Sequence, residues 1–337
     1  MSGQGYLPRV TVPPAPDGTR PVVLVTSRSF SSGDADLRGE LDAAGCDVRP
    51  GATDHDLHAL TPLLGEVVCW VAGTGPVTSA HLDAAPHLRL VARYGVGVDA
   101  VDLEAAHARG VLVTNTPGAN SGAVADLTVA LVLAALRDVV PGDRGVRTRA
   151  SRVSRGRELG SLTVGVVGFG RIGQGVARRL SGFGSRVLAH DPYLSPERAA
   201  ATGAEPVGLE ELAERSDVVT LHAPGDAVLV DAALLERFRP GTVLVNAARA
   251  ALVDERAVAE ALRGGRLARY AADVLDDDGP DAPLLAHDLA DLTTFTPHAG
   301  AHTVEAVDAM GRGAVDAVLA VLAGRQPPNL VTPGGPA

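Results

Sequence analysis

Short apolar runs alternate with longer stretches of mixed polarity along most of this chain, as expected for buried strands connected by helices. In the first third of the chain the pattern predicts a repeating β-α unit without a phosphate-binding loop of its own. Its predicted strands are Val22–Val25, Val67–Val71, Leu88–Arg93 and Val111–Thr114, and its predicted helices are 34–44 and 102–109. Apolar strands of this kind are typical of a parallel sheet that is covered by helices on both faces.

A second β-α unit is predicted to begin near Leu162. Its later strands are predicted at Arg186–His190, Val218–His222, Thr242–Asn246, Tyr270–Val274 and Thr293–Thr296. Two long helices are predicted, at 122–137 and 303–323. The first is apolar all round and is therefore expected to be buried between the units. The second is expected to have Thr303 as its N-cap. The fold class is therefore α/β, with two Rossmann-like, doubly wound parallel sheets, and no third domain is expected after about residue 330.

The stretch Val164–Gly173 is the most informative, because an apolar strand there runs into a glycine-rich turn that opens a helix. Gly168, Gly170 and Gly173 have the spacing G-x-G-x-x-G. In a dinucleotide-binding turn the first glycine permits the tight turn and the second lets the backbone approach the pyrophosphate. The third lets the helix pack closely on the strand, and the helix N-terminus attracts the phosphates.

A carboxylate stands where such a site needs one. The strand Arg186–His190 ends at Asp191, 18 residues after Gly173, close to the spacing of about 20 that is typical of the motif. A carboxylate at this point hydrogen-bonds the ribose hydroxyls and repels a 2′-phosphate. Because Pro192 and Tyr193 follow, no adjacent arginine is in place to bind that phosphate. The predicted cofactor is therefore NAD rather than NADP.

Composition excludes several other classes. The chain has 337 residues, of which 46% are hydrophobic and 3% aromatic, which suits two domains with cores of Val, Leu and Ala. A net charge of −10 argues against a nucleic-acid or membrane-surface partner. All 30 basic residues are arginines, so Schiff-base chemistry and a lysine-bearing phosphate loop are excluded.

Cysteine content and the chain termini add further expectations. Cys46 and Cys69 are too few for a disulfide framework or a zinc site and are expected to be inert core thiols, so no metal is predicted. No secretory signal and no apolar run of about 18 residues appears, which favours a soluble, cytoplasmic protein. Residues 1–19 are rich in Pro and Gly and are expected to form a flexible tail.

Side chains capable of acid–base chemistry follow the predicted strands of the second unit, at the sheet edge where doubly wound folds bind ligands. Arg249 follows one strand, Asp273 ends the next with Asp276–Asp278 in the loop beyond, and His298 follows the last strand beside Gly300. Three such positions in one unit indicate a substrate site. Seven other histidines are expected on the surface or on helix faces: His55, His58, His81, His87, His107, His287 and His302.

With these residues, the chain resembles the D-isomer-specific 2-hydroxyacid dehydrogenase family over residues 21–330. Within that family it resembles the phosphoglycerate dehydrogenase-like branch. The segments that carry the resemblance are 25–30, 73–78, 93–99, 114–120, 245–254 and 296–303. The resemblance implies that residues 20–120 and 300–330 form a discontinuous substrate domain and that 121–299 form the NAD-binding domain. The two long helices would then cross between the domains.

The resemblance also implies roles for single residues. Arg249 would hold a carboxylate oxygen and the carbonyl together, and His298 would donate the proton. Backbone N–H groups of Val96 and Gly97 would hold the substrate carboxylate, with Asn120 nearby. Cofactor contacts are implied, beside the three glycines, for Arg171, Ile172, Asp191, Ala223, Ala247 and Asp273.

Two departures from the family pattern bear on the chemistry. The family usually has a glutamate followed by proline where this chain has Asp278 followed by Gly279. Asp278 is expected to support His298, with Asp276 or Asp277 as alternatives. Members that handle a phosphorylated substrate often carry arginine where this chain has Ala72, which leaves Arg93 and Arg28 as candidates for binding a distal anion.

The expected reaction is hydride transfer between NADH and a small anionic 2-oxo acid, of the 3-phosphoglycerate, hydroxypyruvate, glyoxylate or phosphonopyruvate type. An NAD-sensing scaffold without turnover is one alternative, supported only by the altered acid position. A formate- or phosphite-type dehydrogenase is another. The apolar helix 122–137 is expected to bury a homodimer contact or, alternatively, to be a core helix within the chain.

Overall fold

The computed structural model describes residues 20–150, 153–276, 279 and 282–334, so the tail predicted at 1–19 lies outside the described residues, as do Asp277 and Asp278. The chain divides into two compact units. The first unit consists of the residues up to Asn120 and those from His302 onward, and the second unit is Ser121–Ala301. The chain therefore leaves the first unit, forms the second and returns.

Strands and helices alternate through both units. The first unit opens with β1 (Val22–Val25), α1 (Leu37–Ala43), β2 (Asp47–Pro50), α2 (Leu57–Leu64), β3 (Val67–Ala72), α3 (Ser79–Asp83), β4 (Leu90–Arg93), α4 (Leu103–Ala108) and β5 (Leu112–Thr114). The second unit begins with α5 (Ser121–Leu136), α6 (Val139–Arg147), β6 (Thr163–Val167), α7 (Arg171–Gly182), β7 (Arg186–His190), α8 (Pro196–Ala200), β8 (Glu205–Pro206) and α9 (Leu209–Arg215). It continues with β9 (Val218–Leu221), α10 (Ala232–Arg237), β10 (Thr242–Asn246), α11 (Glu255–Arg263), β11 (Leu267–Ala272) and β12 (Thr293–Phe295). The returning chain adds α12 (Val304–Leu322) and β13 (Leu330–Val331) to the first unit.

The sheet of the first unit has six strands in the order β13-β5-β4-β3-β1-β2. Every pairing is parallel except that of β13, which runs antiparallel to β5. The chain changes direction across the sheet between β1 and β3, so the loops that follow these two strands diverge and leave a crevice at their carboxyl ends.

The sheet of the second unit is parallel throughout, with seven strands in the order β12-β11-β10-β9-β6-β7-β8. Its direction changes between β6 and β9, which places the glycine-rich turn after β6 at the crevice. Together the two sheets confirm the predicted α/β class with two doubly wound parallel sheets.

Helix α5 is apolar all round because most of its surface is buried within the second unit. Val124, Val129 and Val132 are buried, and the helix packs against α7. At the contact, a Cβ added to Gly175 would lie 3.2 Å from the Cβ of Ala125. Packing inside the chain thus accounts for much of the apolar surface that the sequence suggested for a dimer contact.

Helix α12 is fixed to the rest of the first unit at its N-terminal end. The Thr303 hydroxyl accepts a hydrogen bond from the N–H of Ala306 at 3.1 Å, which confirms the predicted N-cap. One turn on, the Asp308 carboxylate accepts the N–H groups of Asp34 and Ala35, just before α1. The Tyr94 hydroxyl donates to the carbonyl of Val307 at 2.9 Å.

Burial confirms one expectation and overturns another. Cys46 and Cys69 are both buried free thiols, and burial raises the pKa of each, as expected for inert core cysteines. The prediction that His55 lies on the surface or on a helix face is wrong, since it is only 1% exposed and precedes α2. His81 does lie on a helix, α3, but is buried there at 3% exposed. None of the described helices is both long and apolar enough to cross a membrane.

Candidate functional site

The glycine-rich turn has the geometry that its spacing predicts. Gly168 has a φ of +86°, and an added Cβ would lie 2.4 Å from the backbone nitrogen of Ala223, at the end of the neighbouring β9. Gly173 is tighter still, because its Cβ would lie 2.1 Å from the carbonyl oxygen of Gly168. Only glycine fits these two positions. Because neither residue has a Cβ, α7 can begin directly against the end of β6.

Gly170 differs from its two neighbours in the motif. It is the N-cap of α7 with a φ of −70°, and a Cβ added there would meet no protein atom within 4 Å. The open space lies at the N-terminus of the helix, where free N–H groups and the helix dipole favour an anion. Arg171 and Ile172 form the first turn beside it. The turn therefore fits the pyrophosphate of a dinucleotide.

Asp191 both faces this crevice and holds the turn in place. One of its carboxylate oxygens accepts the N–H of Phe169 at 2.7 Å, and the other accepts the N–H of Tyr193 at 2.8 Å. The carboxylate thus links the end of β7 to the glycine turn. A carboxylate at this position is typical of a ribose contact in such folds, and that contact stays a prediction for Asp191.

Sequence reasoning missed a second contact to the same turn. Arg198 of α8 donates from Nη2 to the carbonyl of Phe169 at 3.1 Å, and Gln174 donates to that oxygen from Nε2 at 2.9 Å. An arginine therefore reaches the turn although none stands beside Asp191 in the sequence. Nothing in the apolar and polar pattern singles out Arg198, because it becomes a neighbour of the turn only through the fold.

His298 sits in a strained turn after β12. It is exposed and has a φ of +55°, a left-handed conformation that is uncommon for a residue other than glycine. Its own N–H donates to the carbonyl of Thr296 at 2.9 Å. Strain of this kind is held only where surrounding contacts enforce it, and such residues cluster at functional sites.

Asp273 supplies those contacts. This buried carboxylate accepts hydrogen bonds from the Thr296 hydroxyl, from the N–H of Ala299 at 2.8 Å and from the N–H of Gly300 at 2.8 Å. These donors lie on both sides of His298. The strand before Asp273, β11, ends at Ala272, two residues before the end predicted at Val274. Asp273 thus fixes the turn, and the cofactor contact implied by resemblance stays a prediction.

Arg249 lies in a second turn that is fixed by a neighbouring side chain. Asn246, the last residue of β10, donates from Nδ2 to the carbonyl of Arg249 at 2.9 Å and accepts the N–H of Ala248 at 3.1 Å. Ala247 therefore lies in a tight turn at the same sheet edge as the glycine motif.

The acidic loop after β11 is anchored at its start. The buried Glu255 accepts the N–H of Asp276 at 2.9 Å.

The first unit carries the other predicted site residues. Val96 and Gly97 form a loop after β4 whose carbonyls accept hydrogen bonds from Asn115 and Arg93, respectively. Arg93 is only 6% exposed, so the structure places it under this loop rather than open to solvent. The amide oxygen of Asn120 is buried and accepts no hydrogen bond from the described residues.

A buried network of side chains supports the loop after β3. The Trp70 indole donates to the hydroxyl of Thr26 at 2.9 Å, and that hydroxyl lies 2.6 Å from Nε2 of His55. Nδ1 of His55 faces the carbonyl of Pro76 at 3.0 Å, so this nitrogen carries the proton. His81 contacts the carbonyl of His55 at 2.8 Å. Burial lowers the pKa of His55 to about 4, in keeping with a neutral ring.

The fold and the residues at its strand ends define a class of protein. A glycine turn at the switch point of a parallel sheet, with arginine and histidine at neighbouring strand ends, is typical of dinucleotide-dependent oxidoreductases. No group of three or more metal-ligating side chains occurs among the residues that the structure describes.

Comparison with known proteins gives the family. The family model described as D-isomer specific 2-hydroxyacid dehydrogenase, NAD binding domain, matches residues 129–300. This chain belongs to the D-isomer-specific 2-hydroxyacid dehydrogenase family, and NAD is its cofactor. The resemblance seen in the sequence is thereby confirmed.

The individual relatives bear the names of different dehydrogenases and reductases. The chain is 41% identical over 321 residues to D-3-phosphoglycerate dehydrogenase of Mycobacterium tuberculosis, a match that covers 94% of this chain and 59% of the relative. It is 38% identical over 269 residues to glyoxylate reductase of Korarchaeum cryptofilum, covering 77% and 80%. The crystal structure of the TT0316 protein from Thermus thermophilus matches with a TM-score of 0.83 and 36% identity, covering 92% of this chain and all of the other. The chain thus spans little more than half the length of its phosphoglycerate dehydrogenase relatives.

Proposed function

We propose that this protein transfers a hydride between NADH and the carbonyl carbon of a small anionic 2-oxo acid, forming a D-2-hydroxy acid, and that it also runs this reaction in reverse. The observation that carries the proposal is the strained His298 turn, held by Asp273 at the same sheet edge as Arg249 and the glycine motif. A sensing scaffold would have no need of an exposed imidazole held in a strained conformation.

The second unit supplies the polar chemistry. NADH, when bound on the glycine turn, supplies the hydride. Arg249 orients the substrate through its planar guanidinium, which can hold a carboxylate oxygen and the carbonyl oxygen at once. The protonated imidazole of His298 donates its proton to the carbonyl oxygen as negative charge develops there. Asp278 stays the predicted partner of the imidazole, with Asp276 and Asp277 as alternatives.

The first unit is proposed to bind the carboxylate of the substrate on the N–H groups of Val96 and Gly97. Both belong to a loop whose carbonyls are already used within the protein. Asn120, with its buried and unpartnered amide oxygen, is proposed to contact the ligand as well. Backbone N–H groups would bind only the carboxylate that all 2-oxo acids share, so this contact would serve any of them.

The distal group of the substrate decides among the candidate acids. No arginine follows β3 at Ala72, and Arg93 lies buried beneath the carboxylate loop. Arg28 is exposed, with its Nε donating to the Thr53 hydroxyl at 3.2 Å, and is the remaining candidate for a distal anion. The first test therefore includes hydroxypyruvate, glyoxylate, phosphonopyruvate and phosphohydroxypyruvate, the 2-oxo acid that corresponds to 3-phosphoglycerate.

The test follows NADH absorbance with a panel of 2-oxo acids: phosphohydroxypyruvate, hydroxypyruvate, phosphonopyruvate, glyoxylate and pyruvate. Wild type is compared with His298→Ala and Asp278→Asn. Oxidation of NADH by one acid, lost in His298→Ala, supports the proposal and names the substrate class. If NADH binds but no acid is reduced, the proposal is overturned in favour of the scaffold alternative.

We also propose that the protein acts as a cytoplasmic homodimer. Helix α6 has no buried residue and exposes Val139, Val140 and Val146, an unusual number of apolar side chains for one short surface helix. Light scattering of wild type and Val146→Asp tests this contact. A wild-type mass of one chain at micromolar concentration would contradict it.

A further inference from the structure

The loop after β4 has an unusual arrangement of its backbone carbonyls. Three consecutive carbonyl oxygens accept hydrogen bonds from the protein itself. Gly95 accepts the N–H of Thr116 at 2.9 Å, Val96 accepts Nδ2 of Asn115 at 2.9 Å, and Gly97 accepts Nε of Arg93 at 3.0 Å. All of these donors lie at the ends of β4 and β5, within the first unit.

This pattern fixes where the N–H groups of the loop point. In a trans peptide the carbonyl of one residue and the N–H of the next lie on opposite sides of the bond. Because the carbonyls of Gly95 and Val96 point into the protein, the N–H groups of Val96 and Gly97 point away from those donors. Neither N–H donates to any residue in the part of the chain that the structure describes.

Arg93 is well suited to hold this loop. It ends β4 and is only 6% exposed, and besides its bond to Gly97 it donates from Nη1 to the carbonyl of Ala72, at the end of β3, at 3.4 Å. Its guanidinium thus joins two strand ends, and its charge lies beneath a loop that presents N–H groups. Asn115 is equally buried, at 6%.

We propose that Arg93 and Asn115 are positioning residues for the carboxylate of the substrate. They hold the carbonyls of Gly97 and Val96 back, so that the N–H groups of the loop are available to an anion. The inference rests on the proposed function and deepens it, and it gives Arg93 a different role from that of a distal-anion ligand. A carboxylate with two such N–H donors forms charge-assisted hydrogen bonds.

The expected effect is on KM alone. Asn115→Asp is close in shape but places a carboxylate against the Val96 carbonyl, which turns the peptide and removes an N–H donor from the substrate. Loss of one hydrogen bond to a charged group corresponds to a roughly 10- to 100-fold rise in KM for the 2-oxo acid. Because the bond is present in both ground and transition states, kcat should change little.

Arg93 variants separate hydrogen bonding from charge. Arg93→Lys keeps the charge but cannot join two strand ends with a planar fork, so KM should rise in Arg93→Lys as it does in Arg93→Met. A wild-type KM in Arg93→Lys would overturn the positioning role in favour of a purely electrostatic one. Arg89→Met is the matched control, because Arg89 immediately precedes β4 at its opposite end, and it should leave KM unchanged.

Three further readouts exclude a trivial loss of folding. The urea unfolding midpoint reports stability, with Asn115→Ser as a second variant if Asn115→Asp does not fold. NADH fluorescence should give a wild-type cofactor affinity in every variant, since the cofactor turn belongs to the other unit. Oxamate, a carboxylate that is not reduced, is titrated calorimetrically in the presence of NADH and should bind roughly 10- to 100-fold more weakly to the variants.

The outcomes distinguish the two proposals. If the wild type reduces a 2-oxo acid and the folded variants keep its KM and oxamate affinity, the positioning role alone is overturned. If the wild type neither reduces an acid nor binds oxamate, the proposed function fails and the positioning role falls with it. A raised KM with unchanged kcat and unchanged NADH binding supports both.

Discussion

Gly170→Ala should weaken NADH binding without harming the fold. Gly170 has a φ of −70°, which alanine adopts freely, and a Cβ there would meet no protein atom within 4 Å. Reduced freedom of the unfolded chain favours alanine by about 0.4–1 kcal/mol, whereas alanine is a poorer N-cap than glycine by up to about 1 kcal/mol. The two effects nearly cancel, so the free energy of unfolding should change by less than about 1 kcal/mol.

Cofactor binding should respond quite differently. The open space at Gly170 is where the pyrophosphate would approach the N-terminus of α7, and a methyl group there keeps the phosphate out of hydrogen-bonding range. Loss of one hydrogen bond to a charged group costs about 1.5–3 kcal/mol, which corresponds to a roughly 10- to 100-fold weaker Kd for NADH.

The assay pairs NADH fluorescence titration with urea unfolding. Gly182→Ala is the matched control, because Gly182 ends the same helix and a Cβ there also meets nothing within 4 Å. It should leave the Kd for NADH unchanged. Gly173→Ala provides the opposite case, since its Cβ would lie 2.1 Å from a backbone oxygen, and it should destabilise the fold itself by about 1–3 kcal/mol. A Gly170→Ala protein that binds NADH as tightly as the wild type would refute the assignment of the turn.

Three further predictions concern single side chains. His298→Ala should lower kcat by about 10²- to 10⁴-fold with an unchanged Kd for NADH, and an unchanged kcat in steady-state assays would contradict its role as proton donor. Asp273→Asn should lower kcat about tenfold by loosening the His298 turn, whereas a weaker Kd for NADH alone would instead support the cofactor contact. Burial lowers the pKa of His55 to about 4. Between about pH 6.5 and 4 the unfolded state therefore binds one more proton than the folded state. The free energy of unfolding should fall by up to about 3 kcal/mol as the pH falls through that window. The urea unfolding midpoint should depend less on pH in His55→Gln than in the wild type or in the exposed control His58→Gln.

The sequence predicted the strands better than the short helices. Buried strands such as Val22–Val25 and Thr242–Asn246 carry uninterrupted apolar residues, and their predicted bounds are confirmed. The edge strand β2 was missed because Asp47–Pro50 is half polar and takes its form from pairing with β1. Helix α6 was missed for a similar reason, since it has no buried face that would impose an apolar period.

For the candidate site, the sequence located the residues at strand ends but not what holds them. The glycine motif and Asp191 were found because their spacing is imposed by one continuous strand–turn–helix unit. The contacts of Asn115 with Val96 and of Arg198 with the glycine turn join segments that are distant in the sequence. No local pattern encodes such a pair, so only the folded chain reveals it.

One construction recurs at each part of the site. A backbone segment is turned by a buried or half-buried polar side chain from a neighbouring strand end: Asp191 acts on the glycine turn, Asp273 on the His298 turn and Asn115 on the Val96 loop. Substitutions other than proline leave the backbone N–H group in place, but a change in a supporting side chain can alter its direction. A change at one of these three side chains should therefore alter one step only: cofactor binding for Asp191, proton transfer for Asp273 and carboxylate binding for Asn115. The function of this protein then depends on these supporting side chains as well as on the groups proposed to touch the ligands.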